Sequence, residues 1–139
     1  MKTDTPRPIL LKDYRPSAYL IDTVDLDVAL HPTRTRVRSR LKMRANPSVT
    51  KPGALELDGE LLQLEAVVLD GRRLDSAPYK TTDKTLSIPS LPKGEFTLEI
   101  TSTFDPQANK ALTNLLLSRG IYCTHCEPRG LPPITYFRA

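Results

Sequence analysis

The clearest pattern in this chain is the stretch Arg34-Thr-Arg-Val-Arg-Ser-Arg-Leu-Lys-Met-Arg-Ala45, in which every second residue is a cation. A period of two places alternate side chains on opposite faces of a β-strand, so that one face carries the cations. The opposite face carries small or apolar side chains suited to a core, namely Thr35, Val37, Ser39, Leu41, Met43 and Ala45. The pattern predicts a strand with one buried face and one basic, solvated face.

Short strands are predicted along the rest of the 139-residue chain, because 13 prolines and 6 glycines interrupt it at short intervals. Turns are expected at residues 31–33 and at Asp70-Gly71, which is a strong hairpin signal. About seven to eight short, mostly antiparallel strands predict an all-β fold, either a β-sandwich or an open barrel. The segments with strand character are 19–30, 34–45, 55–57, 62–68, 85–88, 96–100 and 134–137.

One short helix is expected near 106–117. Asp105 is a favourable N-cap residue, Pro106 suits the first helical position, and Arg119-Gly120 would end the helix. Residues 1–16 hold three prolines and little pattern, which predicts an extended N-terminal lead-in. Residues 17–139 are then expected to form a single β-sandwich domain.

Composition narrows the class of protein further. The sequence has no apolar run long enough to span a membrane and no apolar segment of a signal peptide at its start, which predicts a cytoplasmic protein without a membrane partner. Two cysteines do not make the disulfide framework of a small secreted domain.

The basic strand allows several interpretations. Its cations could bind RNA, DNA or lipid headgroups, but no aromatic residues alternate with them to stack on bases, and no nucleic-acid partner is predicted. Alternatively, a hairpin turning at Pro32-Thr33 could set Asp25 and Asp27 of the preceding strand opposite Arg38 and Arg40, where cross-strand ion pairs contribute about 0.2–1 kcal/mol each. An acidic surface of another domain could also cover this face.

The sequence Cys123-Thr-His-Cys-Glu127 groups side chains that could bind a metal, undergo redox chemistry or bind a substrate. It resembles half of a zinc site, although a closed structural site needs four ligands and only one other histidine, His31, is present. A redox pair of cysteines is a second interpretation, but such a pair normally lies at a helix N-terminus. The third is a loop that presents the Glu127 carboxylate.

A set of motifs resembles the N-terminal domain of bacterial aminopeptidase N, a family of zinc-dependent gluzincin exopeptidases. These motifs follow the family's order along nearly the whole chain: Asp13-Tyr-Arg15 with Tyr19, Leu57-Asp-Gly-Glu-Leu61, Asn109 with Ala111-Leu112, Cys123-Thr124 with Cys126-Glu127, and Ile134-Thr-Tyr-Phe137. The family has glutamine at the position of His125.

The resemblance implies that Glu127 helps to bind the free α-ammonium group of a peptide substrate through charge-assisted hydrogen bonds. His125 would lie beside the first substrate residue and could make binding depend on pH near about 6.5. The chain lacks the His-Glu-x-x-His motif that holds the family's zinc. We therefore expect no catalytic residue, metal ligand or cofactor in this chain, with zinc held by a missing catalytic domain.

The expected function is that of a non-catalytic N-terminal domain, which caps the active site of a zinc aminopeptidase and contacts its catalytic domain and peptide substrates. The alternative is a stand-alone β-sandwich module that binds an anionic partner through the basic strand. An exposed interdomain face could make the isolated domain dimerise.

Overall fold

The structure is a computed structural model that describes residues 10–13, 15–59, 61–75, 79–109, 114–125 and 135–136. The strands in this part of the chain are β1 (Tyr19–Ala29), β2 (Thr35–Ala45), β3 (Leu55–Asp58), β4 (Gln63–Leu69), β5 (Arg72–Arg73), β6 (Lys80–Thr81), β7 (Thr85–Ile88), β8 (Glu95–Phe104), β9 (Asn114–Ser118) and β10 (Ile121–His125). They form a five-stranded sheet in the order β1-β2-β8-β4-β5, a three-stranded sheet β3-β7-β6 and the two-stranded hairpin β9-β10. All of the pairings are antiparallel, which confirms the predicted all-β fold.

Strand β2 confirms the alternation predicted from its sequence. The residues of one face are buried from Thr35 to Met43, whereas the intervening cations up to Lys42 are exposed. Its neighbours β1 and β8 extend along its two sides. The strand is therefore central to the five-stranded sheet, with its apolar face on the core side.

The core lies between the five-stranded and three-stranded sheets. Apart from Tyr19, which is 8% exposed, each buried side chain in it is at most 2% exposed, and burial of a large apolar side chain contributes about 1.5–3 kcal/mol. The five-stranded sheet contributes Leu41, Met43, Val67, Phe96, Leu98 and Ile100, and the three-stranded sheet contributes Leu55, Leu57, Leu86 and Ile88. One shared cluster between two sheets is the arrangement of a β-sandwich.

The Asp70-Gly71 hairpin is confirmed by its backbone geometry. Asp70 has φ 49° and Gly71 has φ 80°, so that both central residues lie in the left-handed region that a type I′ turn requires. The Asp70 carboxylate also accepts a hydrogen bond of 2.8 Å from the backbone N–H of Thr97 on β8. This hydrogen bond attaches the turn to β8, the central strand of the five-stranded sheet.

The predicted helix near 106–117 is wrong where the structure describes it. Asp105 Oδ1 does accept a hydrogen bond of 2.9 Å from the Ala108 N–H, as an N-cap residue would. However, Asn114–Ser118 form strand β9 and pair with β10 through a turn at Arg119-Gly120, with φ 50° and 80°. Gly120, which was expected to end a helix, instead lies in the turn of the hairpin. Residues 110–113 lie outside the described residues.

The two ends of the chain depart from their predicted form. Within the predicted extended lead-in, Leu11–Asp13 form a short 3-10 turn, and residues 1–9 and 14 lie outside the description. The predicted last strand, 134–137, is described at Thr135 and Tyr136, and neither residue is in a strand. The boundary of a single domain at residue 17 stays a prediction. No helix among the described residues is long and apolar enough to cross a membrane.

Candidate substrate-binding segment and its anchors

Of the two sequence-predicted site residues, the structure describes the backbone of His125. His125 is the last residue of β10 and pairs with Asn114 of β9, whereas Glu127 and Cys126 lie outside the described residues. Cys123, which was expected in a loop, is an exposed residue of β10 opposite Leu116. Strand β10 therefore ends two positions before Glu127 in the sequence.

Metal binding finds no support in this region. No group of three or more His, Cys, Asp or Glu side chains lies close enough to hold a metal ion within the described ranges. The described residues therefore supply neither a set of zinc ligands around Cys123 nor a second thiol for a redox pair.

Residues of the loop that follows β8 contact strand β9 of the β9-β10 hairpin. Leu115 is buried, at 5% exposure. The Asn109 side-chain amide donates a hydrogen bond of 3.1 Å to the Leu115 carbonyl, and the Leu117 N–H donates one of 3.4 Å to the Pro106 carbonyl. Asn109, which matched the family motif, therefore has a structural role that its sequence pattern did not reveal.

Thr135 anchors the chain on the far side of the Glu127 segment. Its side chain is fully buried, and its hydroxyl donates a hydrogen bond of 3.0 Å to Ser39 Oγ on the inner face of β2. The Ser39 hydroxyl donates a long hydrogen bond of 3.5 Å to the Ile100 carbonyl on β8. Two buried hydroxyls thus satisfy one another in the core, as buried polar groups must.

Tyr136 completes the anchor by packing against Gly59. The tyrosine is 2% exposed, and burial raises the pKa of its phenol above 10.0. A Cβ at Gly59 would lie 2.5 Å from Tyr136 Cδ1 and 2.7 Å from Cε1, too close for any side chain. Gly59 therefore allows the ring to approach the backbone, which explains the glycine of the Leu57-Asp-Gly motif.

Sequence reasoning identified the two candidate substrate contacts but not the residues that support them. Ser39 was assigned to the core face of β2, and Gly59 and Thr135 were noted as parts of motifs. The structure brings Ser39 to Thr135 and Gly59 to Tyr136. Residues 126–134 are consequently bounded by β10 on one side and by a buried anchor on the other.

The basic strand carries a ladder of ion pairs on its outer face. The register places Asp25 opposite Arg40 and Asp27 opposite Arg38, so that the two aspartates lie opposite the two arginines named from the sequence. Neighbouring carboxylates contact five arginines, in the pairs Arg34–Glu65 at 2.9 Å, Arg36–Glu65 at 3.7 Å, Arg38–Asp27 at 3.4 Å, Arg38–Glu99 at 3.9 Å, Arg40–Glu99 at 3.5 Å and Arg44–Asp22 at 3.1 Å. These contacts support the interpretation of the face as internally paired.

Structural comparison first defines the class of fold. The chain superposes on the crystal structure of Legionella pneumophila aminopeptidase A in complex with aspartic acid with a TM-score of 0.81 and 27% identity, covering 91% of this chain and 15% of that one. It also shares its fold with an M1 zinc metallopeptidase from Deinococcus radiodurans, at a TM-score of 0.68 and 16% identity over 88% of this chain and 29% of that one. No protein-family model matches the chain.

Sequence comparison then identifies relatives named aminopeptidase N. The chain is 42% identical over 137 residues to aminopeptidase N of Caulobacter vibrioides, covering 99% of this chain and 16% of the relative. It is 33% identical over 135 residues to aminopeptidase N of Escherichia coli, covering 97% of this chain and 15% of the relative. The chain is therefore homologous to the N-terminal region of aminopeptidase N, which confirms the resemblance. It spans about 15% of the length of these relatives.

Proposed function

We propose that this chain acts as the N-terminal domain of a zinc aminopeptidase, where it caps the active site and Glu127 binds the free N-terminus of the peptide. The observation that carries the proposal is homology to aminopeptidase N across almost the entire chain. The described residues on either side of Glu127 in the sequence also support it: strand β10 ends at His125, Thr135 and Tyr136 are buried, and a substrate-binding group must be held in a defined place.

The chemistry of Glu127 suits recognition of a terminal amine. An exopeptidase must bind a terminal cation and reject the neutral peptide bonds inside a chain. A carboxylate makes this distinction through Coulomb attraction and charge-assisted hydrogen bonds, both of which strengthen when a substrate excludes water. The catalytic domain would supply the zinc and the remaining walls of the site.

A chimera tests the proposal directly. This chain would replace the matching portion of Caulobacter vibrioides aminopeptidase N, and the active chimera would then carry Glu127→Gln, which keeps the shape and removes the charge. We expect a loss of about 2–5 kcal/mol of substrate binding, which corresponds to a decrease of about 30-fold or more in kcat/KM.

Glu95→Gln is the matched control for this substitution. Glu95 is an exposed carboxylate at the start of β8, and the loop that holds the hairpin follows the other end of that strand. The control should leave kcat/KM unchanged. An unchanged kcat/KM in Glu127→Gln would remove Glu127 from the site.

The alternative module that binds an anionic partner has less support. The arginines of β2 already contact Asp22, Asp27, Glu65 and Glu99, so that an external anion would compete with carboxylates of the same sheet. A cytoplasmic location and a dimer of the isolated chain stay predictions. Exposed Leu26 and Val28 on β1, with Leu30 just beyond it, are where a dimer contact would be sought first.

A further inference from the structure

Strand β1 forms one edge of the five-stranded sheet, because β2 is its only partner among the described strands. Its 11 residues include neither proline nor lysine, two residues that commonly protect a long edge strand from pairing with another chain. The backbone N–H and C=O groups on the side of β1 away from β2 are therefore able to pair with one further strand.

The inner face of β1 is covered along its first half only. Val24 packs at the border of the core, but Leu26 and Val28 are 39% and 40% exposed. The register places these two side chains beside Ser39 and Val37 of β2, which are fully buried. The layer that covers the inner face therefore ends between β2 and β1, and it leaves Leu26 and Val28 as an exposed apolar pair, the edge strip.

The outer face of the same half of β1 is acidic. Asp27 contacts Arg38 at 3.4 Å, but its side chain is 72% exposed. Asp25 lies opposite Arg40 in the register, yet Arg40 contacts Glu99 at 3.5 Å, and Asp25 forms no ion pair within the described residues. Both aspartates can therefore accept a cation from the unpaired side of the strand.

The two aspartates disfavour a second copy of this chain as the added strand. An antiparallel pair of β1 strands with Leu26 opposite Val28 of the other copy would place Asp27 opposite Asp27. A pair with Leu26 opposite itself would place Asp25 opposite Asp27. Like charges directly opposite each other are destabilising, whereas Lys or Arg at these positions would form favourable pairs.

We propose that the free edge of β1 accepts a strand from the part of the aminopeptidase that lies outside this chain. The added strand carries apolar residues against the edge strip and Lys or Arg at the alternate positions that face Asp25 and Asp27. Main-chain hydrogen bonds provide the attachment, and the alternating side chains select the strand. The chain covers 16% of the Caulobacter vibrioides relative, so that most of such an enzyme lies outside it. This inference rests on the proposed function, in which the chain is one domain of a larger enzyme, but it does not involve Glu127.

Hydrogen exchange of backbone amides, measured by mass spectrometry, tests the pairing in the isolated 139-residue chain and in the active chimera. Alternate N–H groups of an antiparallel strand point to opposite sides. About half of the amides in residues 24–29 should therefore exchange about 10-fold or more slowly in the chimera than in the isolated chain. Arg72–Arg73 form β5 at the opposite edge of the sheet, and they should exchange alike in both proteins. Equal exchange of residues 24–29 in both proteins would overturn the proposal.

Val28→Asp and Ala29→Asp form a matched pair, because they add the same charge to neighbouring exposed residues on opposite faces of β1. In the chimera, Val28→Asp should return the exchange of residues 24–29 to the rate of the isolated chain, since it would bury a carboxylate against the added strand. Ala29→Asp should keep the protection. Equal exchange in the two variants would show that the edge strip is not the contact.

Reversing the acidic charge tests the chemistry of the added strand. Asp25→Lys combined with Asp27→Lys should remove the protection in the chimera, because two cations would then lie opposite the cations of the added strand. The isolated chain with the same two substitutions shows how much of the change arises within its own sheet, where Asp27 contacts Arg38. Retained protection would show that the added strand is not basic, contrary to the proposal.

Two further results decide between the occupants of the edge and separate this inference from the proposed role of Glu127. If sedimentation shows that the isolated chain dimerises, and its β1 amides become protected as the concentration rises, a second copy is the occupant and the proposal is overturned. If Glu127→Gln leaves kcat/KM unchanged while β1 is protected in the chimera, only the role of Glu127 fails. If Glu127→Gln lowers kcat/KM but β1 exchanges alike in both proteins, only the inference about the edge fails.

Discussion

Replacing Glu99 with glutamine removes a carboxylate that lies 3.9 Å from Arg38 and 3.5 Å from Arg40. The Glu99 side chain is 26% exposed and the two arginines are 53% and 57% exposed, so that water weakens both attractions. Solvent-exposed ion pairs contribute about 0.2–1 kcal/mol each. Glu99→Gln should therefore lower the free energy of unfolding by about 0.4–2 kcal/mol.

Urea unfolding of the 139-residue chain at low salt and in about 1 M NaCl measures this loss. The Debye length falls to about 3 Å at 1 M salt, so most of the difference from the unmodified chain should disappear there. Glu56→Gln is the control, because Glu56 is an exposed carboxylate on β3 of the other sheet, and it should change the free energy of unfolding by less than about 0.5 kcal/mol. A loss above about 3 kcal/mol, or one that salt does not reduce, would refute the interpretation of these contacts as solvated pairs.

Three other predictions address the core and the hairpin. Leu98→Ala should cost about 2–5 kcal/mol in urea unfolding, since Leu98 is fully buried; a cost below about 1 kcal/mol would contradict its place in the core. Burial raises the pKa of Tyr136 above 10.0, so that its contribution to stability is complete below about pH 10 and decreases as pH rises further. Tyr136→Phe should reduce this alkaline loss of stability, and equal urea midpoints in both proteins at about pH 9 and about pH 11 would argue against it. Gly120→Ala should cost about 1–2 kcal/mol, because Gly120 has φ 80°; an unchanged urea midpoint would show that the hairpin tolerates a side chain there.

Much of the main sheet could be predicted from local sequence. Strand β2 has a period of two along its whole length, and a shift of one residue would bury its arginines, so that a single register is strongly favoured. The prediction that Asp25 and Asp27 lie opposite Arg38 and Arg40 followed from the alternation of both strands and from the short turn between them. Asp70-Gly71 was equally predictable, because few residue pairs adopt the left-handed geometry of a two-residue hairpin.

The site was less predictable because its determinants act over long distances. Leu115-Leu116-Leu117 is an apolar run that fits a buried helix or a strand, and Gly120 suits the end of either element. Pairing with β10 makes this segment a strand. No local sequence pattern indicates that pairing. Ser39 and Thr135 lie 96 positions apart, and neither residue type indicates on its own that its hydroxyl will be buried against the other.

The Ser39–Thr135 contact also has a consequence for the order of folding. The β1-β2 and β9-β10 hairpins close short loops, whereas the anchor joins residues 96 positions apart, and the entropy cost of closure increases with the length of the loop. During synthesis, the ribosome would release strands β1 to β8 before Thr135 and Tyr136 are available. We therefore expect the two facing sheets to assemble first, with Thr135 and Tyr136 closing onto a preformed core afterwards.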